Sequence, residues 1–271
     1  IGHGPVGIDI GPQTIAYSSG KEAGLLELAD RVQSIEDEKC RIQRKMDRSR
    51  RATNPGNYNP DGTIKRGVSL TRNKSKRYLR LQKELASIQH QQAAIRKEQH
   101  VALANYLLTL GDRFYIEDMN WQGLARRAKE ATIPEAEKPH RRKKRFGKSI
   151  ANKAPASLVT ILKNKCTSLG LPGVIPINTK VRASQYNHLT DSYQKKELSQ
   201  RWNEMPDGRK IQRDLYSAFL LQHMNSQLDG FDRAALQRDY ESFVSLHDQA
   251  ILRAAAAPKL ISSMGVKRTA N

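Results

Sequence analysis

The sequence predicts a mixed α/β fold, a small sheet elaborated by a long helical insertion. Three observations predict it. Two short β-branched and apolar runs, 6–10 (VGIDI) and 14–18 (TIAYS), meet at Gly11-Pro12 as strands joined by a tight turn. A long stretch, 69–110, places Tyr78, Leu81, Leu85, Ile88 and Ile95 near three-and-four spacing, the stripe of an amphipathic helix. Beyond it, further short apolar runs alternate with helical sequence. With 271 residues the chain can bury the core of one large domain or two small ones.

The elements follow in order. Residues 25–32 are expected to form a third strand with mixed faces. Residues 34–51 read as a polar helix, and 54–67 (NPGNYNPDGTIKRG) are dense in turn formers and read as a loop. The long helix follows, with Gly111 as its expected cap. RFYIED, from Arg113, reads as a short buried strand ending in acid. Residues 137–149 (EKPHRRKKRFGKS) are too charged for a core; they read as a phosphate-meeting, lid-like insert or as a plain surface loop. Residues 152–170 form a second amphipathic helix with Leu158, Ile161, Leu162 and Leu169 as core candidates. GVIPIN, 173–178, is a strand that Pro176 confines to an edge. Residues 182–213 are polar and irregular. A helix from about Ile211 turns Leu215, Ala218, Phe219 and Met224 inward, and a helical region fading to a polar tail closes the chain.

Charge narrows the partners. Lys and Arg number 47 against 27 Asp and Glu, a formal net charge of +20. Such a chain repels itself unless a polyanion compensates it, and nucleic acid does so with release of counterions. Arg41, Arg44, Lys45, Arg48, Arg50 and Arg51 on the first helix have only Asp47 to offset them within that run. A solvated face and a nucleic-acid backbone contact both fit them. Arg141, Arg142, Lys143, Lys144, Arg145 and Lys148 form the second basic cluster. No apolar run approaches the roughly 18–20 residues of a membrane span, so no membrane partner is expected. Cys40 and Cys166 stand alone, which implies neither a disulfide framework nor a zinc knuckle and suits a reducing, cytoplasmic setting. Because the chain opens at Ile1 and enters a strand almost at once, a missing amino-terminal region is expected.

Three acids interrupt apolar sequence: Asp9 in GIDIG, Glu117 in FYIED and Asp214 in RDLYSAFLL. Each has a bland reading. Asp9 is a turn former or sits under a nucleotide phosphate, Glu117 or Asp118 begins a loop, and Asp214 complements a helix dipole. Together they have another. Two acids on strands and one on a helix, separated by long crossovers, converge at one end of a sheet, where clustered carboxylates raise one another's pKa unless a cation sits among them. Oxygen ligands of this kind suit Mg²⁺ or Mn²⁺. Two such ions roughly 3.5–4 Å apart would activate a water and stabilise the leaving oxygen of a phosphodiester. Gly7 and Gly11 are expected to keep bulk away from Asp9.

GIDIG with QTIAYSS, then FYIEDMN, then RDLYSAFLL resemble the three motifs of a RuvC-type, RNase H-like nuclease. In order and spacing they resemble the OrfB/TnpB proteins of insertion sequences, relatives of the type V CRISPR effectors, over about residues 6–224. The resemblance implies an RNase H-like sheet and an RNA-guided DNA endonuclease with guide RNA and target DNA as partners. It assigns catalysis and Mg²⁺ (or Mn²⁺) binding to Asp9, Glu117 and Asp214, with Asp118 in reserve. It divides the chain into RuvC segments at 1–33, 111–181 and 211–228, a basic helix and crossover at 34–110, an insert at 182–210 and a tail at 229–271, in a prokaryotic cell. Many family members carry two CxxC pairs in that insert; none is present here, so no zinc is expected and His188 alone makes no site. Tyr186, Tyr193 and Trp202 there either pack or stack on bases.

Rival readings are a phosphate-binding turn of the actin and hexokinase kind, a guided DNA binder that does not cut, a related nuclease or resolvase without a guide, and a basic binding protein whose acids are structural. The first needs a second glycine-rich phosphate loop after Leu110, and none is found.

Overall fold

The computed structural model describes residues 1–126, 146–197 and 199–268. They form two compact units, Ile1–Leu28 with Gln99–Asn271, and Ala29–Glu98.

The first unit is built on a five-stranded mixed sheet. Strands β1 (Pro5–Ile10), β2 (Thr14–Ser19) and β3 (Ala23–Glu27) form an antiparallel meander. The third strand is therefore shorter than 25–32: the chain leaves it at Leu28 through a turn in which Ala29 has φ +44°. Strands β4 (Arg113–Glu117) and β5 (Gly173–Ile177) add to the other side in parallel, giving the order β3-β2-β1-β4-β5. β5 is an edge strand, as Pro176 requires.

Strand periodicity sorts the side chains onto two faces. Val6, Ile8 and Ile10 of β1 and Phe114 and Ile116 of β4 share one apolar cluster with Leu107, Leu158 and Leu162. Those last three come from the end of the long helix α2 (Lys76–Leu110) and from α5 (Pro155–Ser168). The alternate residues, Gly7 and Asp9 of β1 and Tyr115 and Glu117 of β4, fall on the opposite face. There α6 (Arg213–Gln222) and α7 (Arg233–Ala256) build a second cluster around Leu215, Phe219, Leu236 and Phe243. Both faces of β1 are thus packed, and its carboxylate stands near the carboxyl end of the strand, on the face that α6 covers.

Short elements complete the unit. The helix expected over 152–170 is two, α4 (Gly147–Lys153) and α5, broken at Ala154, which has φ +45° and precedes Pro155 at the first helical position. Leu169, expected in the core, follows the end of α5 and is exposed, and Met224 is only half-buried. A five-residue helix α3 (Trp121–Ala125) follows β4. Segment 182–213 holds two small hairpins, β6 (Tyr186–Asn187) with β7 (Ser192–Tyr193) and β8 (Trp202–Glu204) with β9 (Lys210–Gln212). Tyr186 packs, 4.9 Å from Tyr193 and 4.8 Å from Phe231, and Trp202 Nε1 donates to Gly265 O at 2.9 Å, whereas the Tyr193 ring is exposed. His188 is fully buried, with Nδ1 2.6 Å from the Tyr216 hydroxyl. Gly111 does not have the positive φ of a left-handed cap. A side chain there would come within 2.4 Å of Gly4 O, so the glycine serves the close passage of the lead into β1.

The second unit is α1 (Val32–Thr53), a loop and the first part of α2. Helix α2 begins at Lys76, seven residues later than residue 69; before it, the side-chain amides of Asn54, just past α1, and Asn57 in the following turn hold the backbone of Asn73 and Thr71. Leu81 is buried and Tyr78, Leu85, Ile88 and Ile95 are half-buried, the stripe the spacing predicts. Among the described residues no helix is long and apolar enough to cross a membrane.

Candidate active site

Asp9, Glu117 and Asp214 belong to the first unit. The parallel register pairs Ile8 with Ile116, so Asp9 and Glu117, each the next residue, stand level at the carboxyl ends of adjacent strands. Both fall on the α6 face, and Asp214 lies in the first turn of that helix. All three are half-buried, their carboxyl groups at the margin of the core. Asp118 is exposed beyond the strand and makes no part of the group.

Helix α6 reaches the sheet through Gly7. A Cβ at that position would sit 1.9 Å from Ala218 O and 2.3 Å from Gln222 N. Gly7 therefore makes room for the helix backbone, not for a ligand at Asp9. That contact sets Asp214 and Ser217, one turn apart on α6, against β1. Gly11 does not clear space at Asp9 either. A Cβ there would meet Thr14 Oγ1 at 3.3 Å, within the β1–β2 turn. The helix start is fixed by Gln212, whose Oε1 accepts from Leu215 N at 2.8 Å.

The electrostatics match a carboxylate cluster. Burial pushes the Asp9 carboxyl well above its ordinary range, and the negative charges of Asp214 and then Glu117 push it further; Arg213 and the Ser217 hydroxyl pull the other way. Burial also raises Glu117, opposed by the backbone amide of Ala183. Asp9 is thus near enough to Asp214 and to Glu117 for their charges to reach it through a poorly screened medium.

Cations surround the third acid. Arg213 Nε lies 3.4 Å from Asp214 Oδ1, Arg201 Nη1 lies 3.7 Å from Oδ2, and Gln212 Nε2 donates to Oδ2 at 3.3 Å. Arg213 is anchored by its Nη1 donating to Glu197 O at 3.2 Å. Lys196 is half-buried, and its ammonium is held below its ordinary range by burial and by the charge of Arg213. These basic residues were not singled out by the sequence. Arg213 adjoins the acid, and Ser217 lies three residues on along α6, a spacing that predicts one helix face. Arg201 arrives because the β8–β9 hairpin pairs around the Pro206-Asp207-Gly208 turn, a local signal that the reading of 182–213 as irregular passed over.

The donor set is chemically suited to a hard divalent cation: oxygen ligands only, with like charges that a cation would relieve. Among the described residues no three His, Cys, Asp or Glu side chains close around one point. Asp214 would have to exchange its guanidinium partners for an ion.

The basic helix residues Arg41, Arg44, Lys45, Arg48, Arg50 and Arg51 belong to the second unit and are all exposed on α1. They are not equivalent. Arg50 and Arg51 both bind Asp47, at 2.6 and 2.8 Å, and Arg41 lies 3.5 Å from Glu38. Arg44, Lys45 and Arg48 have no acidic partner among the described residues. Lys148 is exposed on α4, whereas Arg141, Arg142, Lys143, Lys144 and Arg145 lie outside the described residues.

No protein-family model and no curated protein matches this chain.

Proposed function

We propose that the protein is a divalent-cation-dependent nuclease of the RNase H-like, RuvC type, guided by RNA to DNA as in the OrfB/TnpB proteins its motifs resemble. The observation that carries the reading is the grouping of Asp9, Glu117 and Asp214. Asp9 and Glu117 stand level at one end of a sheet whose antiparallel meander continues into parallel strands, and the charge of Asp214, on the helix packed against that face, reaches Asp9. The strand order supports an RNase H-like sheet.

Asp9, Glu117 and Asp214 would hold Mg²⁺ or Mn²⁺. When bound, the ions lower the pKa of an attacking water and stabilise the leaving oxygen of a phosphodiester. The chain supplies the rest. Asp9 and Glu117 form one wall and α6 carries the other. Arg201, Arg213 and Lys196 present positive charge where a phosphate backbone approaches. Arg44, Lys45 and Arg48, without acidic partners among the described residues, offer three charges for the backbone of guide or target.

A guided binder that does not cut is the second reading. It is favoured by one observation, the engagement of Asp214 by Arg201 and Arg213. The test is cleavage of target DNA by the full-length protein with its copurifying RNA. Mg²⁺-dependent cutting abolished by Asp9→Ala or Glu117→Ala supports the nuclease; cutting that survives both substitutions excludes these acids. Guided binding without cutting favours the second reading.

A further inference from the structure

We propose that the second unit carries a pocket for one unstacked nucleobase and its phosphate, between the end of α1, the loop after it and the start of α2. The inference deepens the nucleic-acid reading and rests on it for the class of ligand.

The cavity has a volume of about 340 Å³. That is near the lower end of the roughly 300–1,000 Å³ of small-molecule sites, the scale of a single nucleotide. Tyr58 and Tyr78, with Ile64 and Leu70, give it flat aromatic and apolar walls. Arg50, Arg72 and Lys74 also line it, and no Asp or Glu does. Arg50 is committed to Asp47, but Arg72 and Lys74 are exposed and have no acidic partner among the described residues. The Arg51 guanidinium, 5.1 Å from the Tyr58 ring centre, and a bridge from Tyr58 to Ile64 fix that wall.

The rim is built rather than incidental. Asn57 Nδ2 donates to Thr71 O at 2.6 Å, and its Oδ1 accepts from Thr71 N at 2.9 Å. Asn54 does the same for Asn73, with both distances 2.9 Å. Two buried side-chain amides thereby satisfy the backbone of a segment that has no sheet or helix of its own. Holding the rim in advance removes an ordering cost from binding. The side chains of Thr71 and Asn73 remain exposed, a hydroxyl and an amide able to meet the polar edge of a base.

Aromatic walls, a polar edge and two uncommitted cations together match a base with its phosphate. A bare anion needs no tyrosines, and a neutral apolar ligand needs no cations. Stacking of this kind tolerates any base and requires a single strand. DNA and RNA share that chemistry.

The test uses the whole protein in EDTA, so that cleavage plays no part. Short single-stranded DNA and RNA oligonucleotides carrying 2-aminopurine are titrated across a salt series, beside backbones of the same length that are abasic throughout. Wild type is expected to bind the base-bearing strands about tenfold tighter than the abasic ones and to quench the 2-aminopurine. Tyr78→Leu should lose about tenfold on base-bearing strands only, with an unchanged salt slope, and Tyr78→Phe should restore it. Joint replacement of Arg72 and Lys74 by Ala should lower the slope by about 0.7, the value for the one single-strand phosphate they share. The stronger of the DNA and RNA arms identifies the source. Equal wild-type affinity for abasic and base-bearing strands overturns the pocket, as does a Tyr78→Leu loss that is the same on both. That failure with Mg²⁺-dependent cleavage intact removes the pocket alone; the expected binding in a protein that never cuts removes the nuclease alone.

Discussion

Gly7→Ala is the most informative small change in the first unit. The added Cβ would stand 1.9 Å from Ala218 O, 2.3 Å from Gln222 N and 2.9 Å from Leu221 C, all backbone atoms of α6. A carbon–oxygen contact closes to about 3.3 Å at best, so 3.3 − 1.9 leaves about 1.4 Å for the helix to retreat. No rotamer relieves a clash with backbone. Overpacking costs roughly 1–3 kcal/mol, and this contact belongs at the upper end. At about 2–4 °C per kcal/mol for a chain of this size, 3 kcal/mol lowers Tm by about 6–12 °C. Asp214 and Ser217 travel with α6, and a misplacement of about 1 Å can cost roughly 100-fold in rate. Thermal denaturation followed by circular dichroism reads the first effect, and Mg²⁺-dependent cleavage reads the second. Gly20→Ala, where an added Cβ meets nothing within 4 Å, is the control and should change neither. A Gly7→Ala protein with wild-type Tm would refute the packing argument, and one with wild-type cleavage would refute the coupling of α6 to the site.

Other perturbations probe separate parts of the account. Asp9 has a folded-state pKa raised by burial and by Asp214 and Glu117, so the folded protein binds the extra proton and stability falls as pH rises from about 4 through the folded value. Asp9→Asn should remove that fall and leave a variant more stable than wild type at neutral pH yet inactive; denaturant titrations across pH check it. His188 has the opposite linkage: burial lowers its pKa from 6.5 to about 4, so stability is present above pH 6.5 and is lost as pH falls toward 4. The full loss is roughly 3 kcal/mol, and His188→Gln should flatten that limb in the same titrations. Phe219→Ala removes a ring stacked 4.2 Å from Phe243 and should cost about 3–5 kcal/mol in urea denaturation. Asn54→Ala leaves the amide and carbonyl of Asn73 without their protein partner, and hydrogen exchange at the Asn73 amide should accelerate while the core strands stay protected.

What the sequence made legible follows from local periodicity. The β1–β2 hairpin, the edge position forced by Pro176 and the half-buried stripe of α2 depend on spacing and on single-residue chemistry, and each is found. The three acids stood out because a carboxylate in an apolar run is costly unless it has company. The misses are of a different kind. Period-two alternation places Asp9 on the face away from Ile8, but only the packed helix shows that this face is α6, and hence that Gly7 answers to Ala218. Pro155 divides a helix that apolar spacing alone would run together. The Pro206-Asp207-Gly208 turn that brings Arg201 to Asp214 was legible and missed, whereas Asn54 reaches Asn73 across an intervening loop. A contact of this last kind depends on how distant segments meet, which neighbouring residues do not encode.

The central claim is that Asp9, Glu117 and Asp214 act as one cation-dependent centre. Its most direct test is the cleavage of DNA matching the copurifying RNA by the full-length protein, in Mg²⁺ and in EDTA, with each acid replaced in turn by alanine. The account predicts cutting by wild type in Mg²⁺ alone, and a loss of at least 100-fold (about 2.7 kcal/mol or more of transition-state stabilisation) from each single substitution. Cutting that persists in EDTA, or that survives the loss of any one of the three acids, would contradict it.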